Sequence, residues 1–68
     1  MLDRIWVKCG DFIACVNEVG IDPKDQYVLL LGNFSIRFRY ASDAHAAVLL
    51  IWNSILRGDE KVEVRDYQ

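Results

Sequence analysis

The stretch from residue 26 to residue 56 constrains this chain more than any other. Two runs of strand-forming residues flank Gly32-Asn33, and a long helical pattern follows. A two-residue Gly-Asn connection favours a type II′ hairpin, because Gly accepts the positive φ required at the first central position. That turn sets a register of Leu31 opposite Phe34, Leu29 opposite Ile36 and Tyr27 opposite Phe38. Side chains alternate along a strand, so these six share one apolar face. The other face carries Leu30 with Ser35, Val28 with Arg37 and Gln26 with Arg39. A slip of one residue would exchange the two faces. The register therefore predicts a core that includes Tyr27, Phe34 and Phe38.

Ser42 is placed to cap a helix over residues 43–57. Asp43 sits in the first turn and Arg57 in the last, as the helix dipole favours, and Gly58 is suited to the stop. Ala44, Ala47, Val48, Ile51 and Ile55 form a stripe at helical spacing, which is expected to cover the hairpin. Apolar residues remain beyond that stripe. His45, Leu49, Trp52 and Leu56 form a second one, at intervals of four, three and four, and Leu50 lies on the opposite flank. A surface helix needs only one apolar face. Either the sheet curls around this one, or part of it meets another chain.

The first part of the chain reads as another hairpin. Residues 2–9 alternate, Gly10-Asp11 supplies the turn, and residues 12–16 return antiparallel. Cys9 then faces Phe12, Val7 faces Ala14 and Ile5 faces Val16, while Trp6–Cys15 and Lys8–Ile13 occupy the outer face. As an alternative, residues 15–18 form a single turn followed by a short strand at 19–21. Asp22-Pro23-Lys24-Asp25 is a turn, with Asp favoured at its first position and Pro at its second. After Gly58-Asp59-Glu60, residues 61–65 alternate charge with Val62 and Val64, as a charged edge strand does. Residues 60–66 pair within the chain or with a neighbour; the pattern fits both. Tyr67 and Gln68 are expected to fray.

Together these elements predict one α+β domain over residues 1–68. Its antiparallel β-sheet comprises two consecutive hairpins plus a short C-terminal strand, with one α-helix packed on one face. A chain of 68 residues makes a single domain and buries only a modest share of its surface. The hydrophobic fraction of 53% supplies a core and leaves apolar surface over. The longest apolar run, residues 46–52, is too short to span a bilayer. Asp3 and Arg4 interrupt what a secretory leader would keep apolar, so a complete cytoplasmic product without a membrane role is expected.

Catalytic chemistry has no legible site. Cys9 and Cys15, with five residues between them, match no zinc or redox spacing, and in the hairpin register they point to opposite faces. They read as reduced, largely buried thiols. His45, the one histidine, lies in the first turn of the helix without metal-ligand partners in sequence. Ser35, Ser42 and Ser54 fit a sheet face, a cap and a helix flank, and the loop carboxylates lack the order of a calcium loop. The chain is expected to be neither an enzyme nor a cofactor binder.

The function expected is a protein-interaction module that self-associates, most simply as a two-fold homodimer, through His45, Leu49, Trp52 and Leu56. An alternative is a nucleic-acid-binding accessory protein using a basic sheet face of Arg4, Lys8, Arg37 and Arg39 with Trp6. The net charge of −2 weighs against it. A second alternative is a small inhibitor or adaptor docking on a larger enzyme.

Overall fold

The computed structural model describes residues 4–64. Six strands and one helix follow in the order β1 (Ile5–Cys9), β2 (Phe12–Val16), β3 (Val19–Asp22), β4 (Asp25–Leu31), β5 (Phe34–Arg37), α1 (Ala41–Arg57) and β6 (Lys61–Val64). The expected strand at residues 2–3 and the expected ends at residues 65–68 lie outside the described residues.

Both hairpins form in the register their turns dictate. In the first, Cys9 pairs with Phe12, Val7 with Ala14 and Ile5 with Val16. In the second, Leu31 pairs with Phe34 and Leu29 with Ile36. Gly10 and Gly32 hold φ of 62° and 58°, and no other residue type among those described has positive φ. That pattern, positive only at the first central residue, is the type II′ requirement. The second hairpin runs on past its last ladder pair, where the Phe38 N–H donates to the Tyr27 carbonyl at 2.7 Å.

The α+β architecture places one helix on antiparallel hairpins, but the hairpins belong to two three-stranded sheets, ordered β2-β1-β6 and β3-β4-β5. Both readings of residues 15–21 are partly realised. β2 runs through Val16, the chain bends at Asn17, and β3 then pairs antiparallel with β4. That bend takes the chain out of the first sheet. β6 pairs within the chain, parallel to β1, with Val7 opposite Val62 and Cys9 opposite Val64. Parallel neighbours need a long crossover, and the second sheet with α1 supplies it.

One core lies between the sheets and the helix. Ile5, Val7, Cys9, Ala14 and Val16 enter it from the first hairpin, Leu29, Leu31, Ile36 and Phe38 from the second, and Ala44, Ala47 and Ile51 from the helix. α1 packs chiefly on β4, and also on β3 and β6. β5 lies at the far edge of its sheet. This corrects the expected core: Phe38 is buried, but Phe34 is 51% exposed and Tyr27 36%. Alternation placed them on the inner face, but they stand toward opposite ends of the hairpin, Phe34 beside the turn and Tyr27 near the start of β4, on either side of the buried Leu29–Ile36 pair. Phe34 instead meets Phe12 edge-on at 5.2 Å, and Tyr27 lies under the Arg37 guanidinium at 5.3 Å.

The helix starts two residues earlier than its sequence suggests. Tyr40, extended at φ −124° and ψ 136°, is the N-cap, and no side chain caps the first turn. Its carbonyl accepts from the N–H groups of Asp43 and Ala44 at 3.1 and 3.3 Å. Ser42 is therefore a first-turn residue exposed to solvent rather than the cap. Burying Phe38 immediately before the helix leaves only Arg39 and Tyr40 to make the corner. At the other end Gly58 takes φ 79°. Its N–H bonds the Ile55 carbonyl at 3.0 Å, and the Asp59 N–H bonds that of Ser54 at 2.9 Å. These two bonds make a Schellman stop.

Candidate functional site

The site is built on the outer face of α1. Four residues of the helix are buried, Ala44, Ala47, Ile51 and Ser54, and Val48 and Ile55 are half-buried beside them. Small side chains at Ala44, Ala47 and Ser54 let the helix sit close to the sheets along a narrow line. Ser54 is core rather than flank. Its hydroxyl donates to the Leu50 carbonyl at 2.9 Å and accepts from Arg57 Nη2 at 3.2 Å. That local bonding removes the cost of burying a hydroxyl. Its burial was readable in the sequence, since residues 44, 47, 51 and 54 are spaced by three, four and three.

Neither sheet curls over the remaining apolar surface of the helix. Leu49 is 61% exposed, Trp52 55% and Leu56 66%, and His45 is exposed at the N-terminal end of the same stripe. At 3.6 residues per turn all four fall within an arc of about 60°. A depression of 370 Å³ runs beside the stripe, lined by Asn17, Glu18, Val19, Val48, Trp52 and Ile55. Between Asp43 and Arg57 the helix carries no Asp, Glu, Lys or Arg. Leu50, 39% exposed, lies on the other flank of the helix.

The four basic-face candidates are divided. Arg4 precedes β1 and Lys8 lies on it, whereas Arg37 ends β5 and Arg39 follows it in the second sheet. All four are exposed, yet Lys8 Nζ stands 3.9 Å from Glu63 Oε2, and Arg37 bonds Asp25. The Arg39 guanidinium lies 5.8 Å over the Tyr40 ring. Asp25 also accepts from the Tyr27 N–H at 3.0 Å. That backbone bond first, and Arg37 second, hold its carboxyl below the ordinary carboxylate value.

A second apolar surface lies on the outer face of the first hairpin, where the sequence reading placed Trp6 with Arg4 and Lys8 but did not single out Ile13. On the outer face of the first sheet, Trp6 and Ile13 are 54% and 60% exposed. A 520 Å³ depression there is lined by both, together with Val7, Lys8, Lys61, Val62 and Glu63. The signal available was the outward pairing of Lys8 with Ile13 and Trp6 with Cys15. What sequence could not supply was β6, which brings Lys61 beside Trp6.

Cys9 is buried and Cys15 exposed, both free. The expectation of two largely buried thiols holds for Cys9 alone, because Cys15 faces outward beside Trp6, where none of the described residues covers the sheet. Among the described residues no group of three or more His, Cys, Asp or Glu side chains is placed to hold a metal ion, and no helix is long and apolar enough to cross a membrane. Comparison with protein-family models, with curated proteins and with solved structures finds no match.

Proposed function

We propose that the chain is a non-catalytic, cytoplasmic interaction module that self-associates through the outer stripe of its helix. The observation that carries this reading is the exposure of Leu49, Trp52 and Leu56 on a helix with no ionic side chain between its ends. Covering such a stripe gains about 25 cal/mol for each Å² of apolar area removed from water. A second copy brings no like charge against it. An exposed free thiol at Cys15 fits a reducing compartment.

Light scattering over a range of concentrations tests the proposal. The expected result is a mass that rises from the 7.9 kDa of one chain toward twice that value. Trp52→Ala is expected to shift this transition to at least tenfold higher concentration with an unchanged circular dichroism spectrum. A large, partly exposed Trp is a common binding hot spot. A monomer at every concentration overturns the reading.

The outer face of the first sheet supports a second reading, nucleic-acid binding. Trp6 stands exposed with Lys61 beside it, Lys8 on its own strand and Arg4 just before that strand. A base can stack on the indole while the cations meet phosphates. The ion pairs at Lys8 and Arg37 weaken this reading, since each cation already has a carboxylate. Titration of labelled single-stranded and duplex oligonucleotides at low salt tests it, with Trp6→Ala as the control. No change in anisotropy removes it.

A further inference from the structure

The spacing of the exposed stripe permits a second copy to dock in either direction. Its intervals of four, three and four residues read the same from either end. A two-fold axis perpendicular to the helix therefore matches the stripe to itself in register. We propose that the partner on this face is a second copy whose helix runs antiparallel, with Leu49 against Trp52 of the partner subunit and His45 against Leu56 of the partner subunit. This rests on the self-association reading above and adds to it the direction and register of the pair.

Three physical arguments favour this arrangement over a parallel one. The first is volume. Antiparallel pairing puts one Leu against one Trp in each of the two central layers, and one His against one Leu in each outer layer. The layers are then of similar width, so two straight helices can approach to about 8–10 Å along the seam. Parallel pairing would stack Trp52 on Trp52 of the partner subunit between two Leu–Leu layers, and the large layer would hold the axes apart. The second is layer type. Spacing of this kind makes Leu49 and Leu56 equivalent positions, with His45 and Trp52 the other kind. Antiparallel coiled helices pair one kind with the other, whereas parallel ones pair like with like. The third is electrostatic. Antiparallel macrodipoles attract, parallel ones repel, and the stripe has no charged side chain to reverse that preference. The depression beside Trp52 and Val48 gives the opposing leucine a place to enter.

Cross-linking reads the direction. In a Cys15→Ser background, His45→Cys and Leu56→Cys proteins are mixed and oxidised mildly with diamide, one carrying a size tag. The expected result is a predominant mixed disulfide, several-fold above either homodimer. Spin labels on His45→Cys alone give a second readout. The seam spans about 16 Å at 1.5 Å per residue, so an antiparallel pair separates the label sites by about 19 Å when a 10 Å interaxial distance is added. Predominant His45→Cys homodimers with labels about 10 Å apart would overturn the antiparallel arrangement and leave self-association standing. A monomeric mass for the unsubstituted protein at every concentration would remove the parent reading and this inference with it.

Discussion

The Cys9 thiol points into the core, where burial pushes it above its ordinary value. Cys15, on the other face of the same hairpin, meets solvent. The thiolate is the reactive form. A maleimide or disulfide reagent is therefore expected to label one thiol per chain in the native protein and the second only in denaturant; rapid native labelling of both would contradict the assigned register. Asp25 supplies a pH test. Its carboxyl is held below the ordinary carboxylate value by the Tyr27 N–H and by Arg37. A depressed folded value means that its contribution is present above the unfolded value and is lost as pH falls through the folded one. Urea midpoints of wild type and Asp25→Asn should therefore differ slightly at neutral pH, wild type being higher, and converge in strong acid. A gap that widens in acid would refute this account. Single residues also show where sequence reasoning runs out. Alternation placed Phe34 and Tyr27 on the inner face, but it carries no information on how far the covering layer extends. Phe34 stands on β5, outside the strands on which α1 chiefly packs, and Tyr27 near the start of β4 lies under Arg37; both are facts of packing rather than of pattern.

At the scale of elements, local chemistry was the most legible. Both hairpin registers follow from Gly10 and Gly32, and the helix stop follows from Gly58. In each case only a residue without Cβ takes the required backbone conformation cheaply. Gly58→Ala should accordingly lower stability by about 1–2 kcal/mol, since the φ of 79° is unfavourable for any L side chain. Chemical denaturation measures this, and an unchanged midpoint would mean that the stop is not set by that residue. The helix start was misread because Ser42 satisfies a sequence rule that the corner after Phe38 overrides. Ser54 was misread because residue type was given more weight than spacing. The parallel pairing of β6 with β1 could not be read at all. Its partners lie more than fifty residues apart, and nothing local at Lys61–Val64 states which strand it will meet.

For the whole molecule, the apolar surplus noticed in the helix proves to be surface. Among the described residues the helix stripe and the outer face of the first sheet are both exposed apolar areas, and they differ in charge. The helix carries no ionic side chain between Asp43 and Arg57, whereas Trp6 and Ile13 lie among Lys8, Lys61 and Glu63. Salt separates their uses. Association through the stripe should change less than about threefold between 50 and 500 mM salt, because no ion pair or counterion is displaced. Binding of a polyanion at the sheet face should fall steeply over the same range. Dimerisation that disappears at high salt would count against the helix stripe as its seat.

The parallel seating of β6 also governs how the chain comes to be made. β1 is the central strand of its sheet, and one of its two neighbours is encoded at Lys61–Val64. At about 5–20 residues per second, some 3–11 s separate the synthesis of the two strands. Through that interval the nascent first hairpin presents an open backbone edge next to Trp6. Completion of this sheet is thus deferred until Lys61–Val64 has been made, and the edge of β1 stays open to other strands until then.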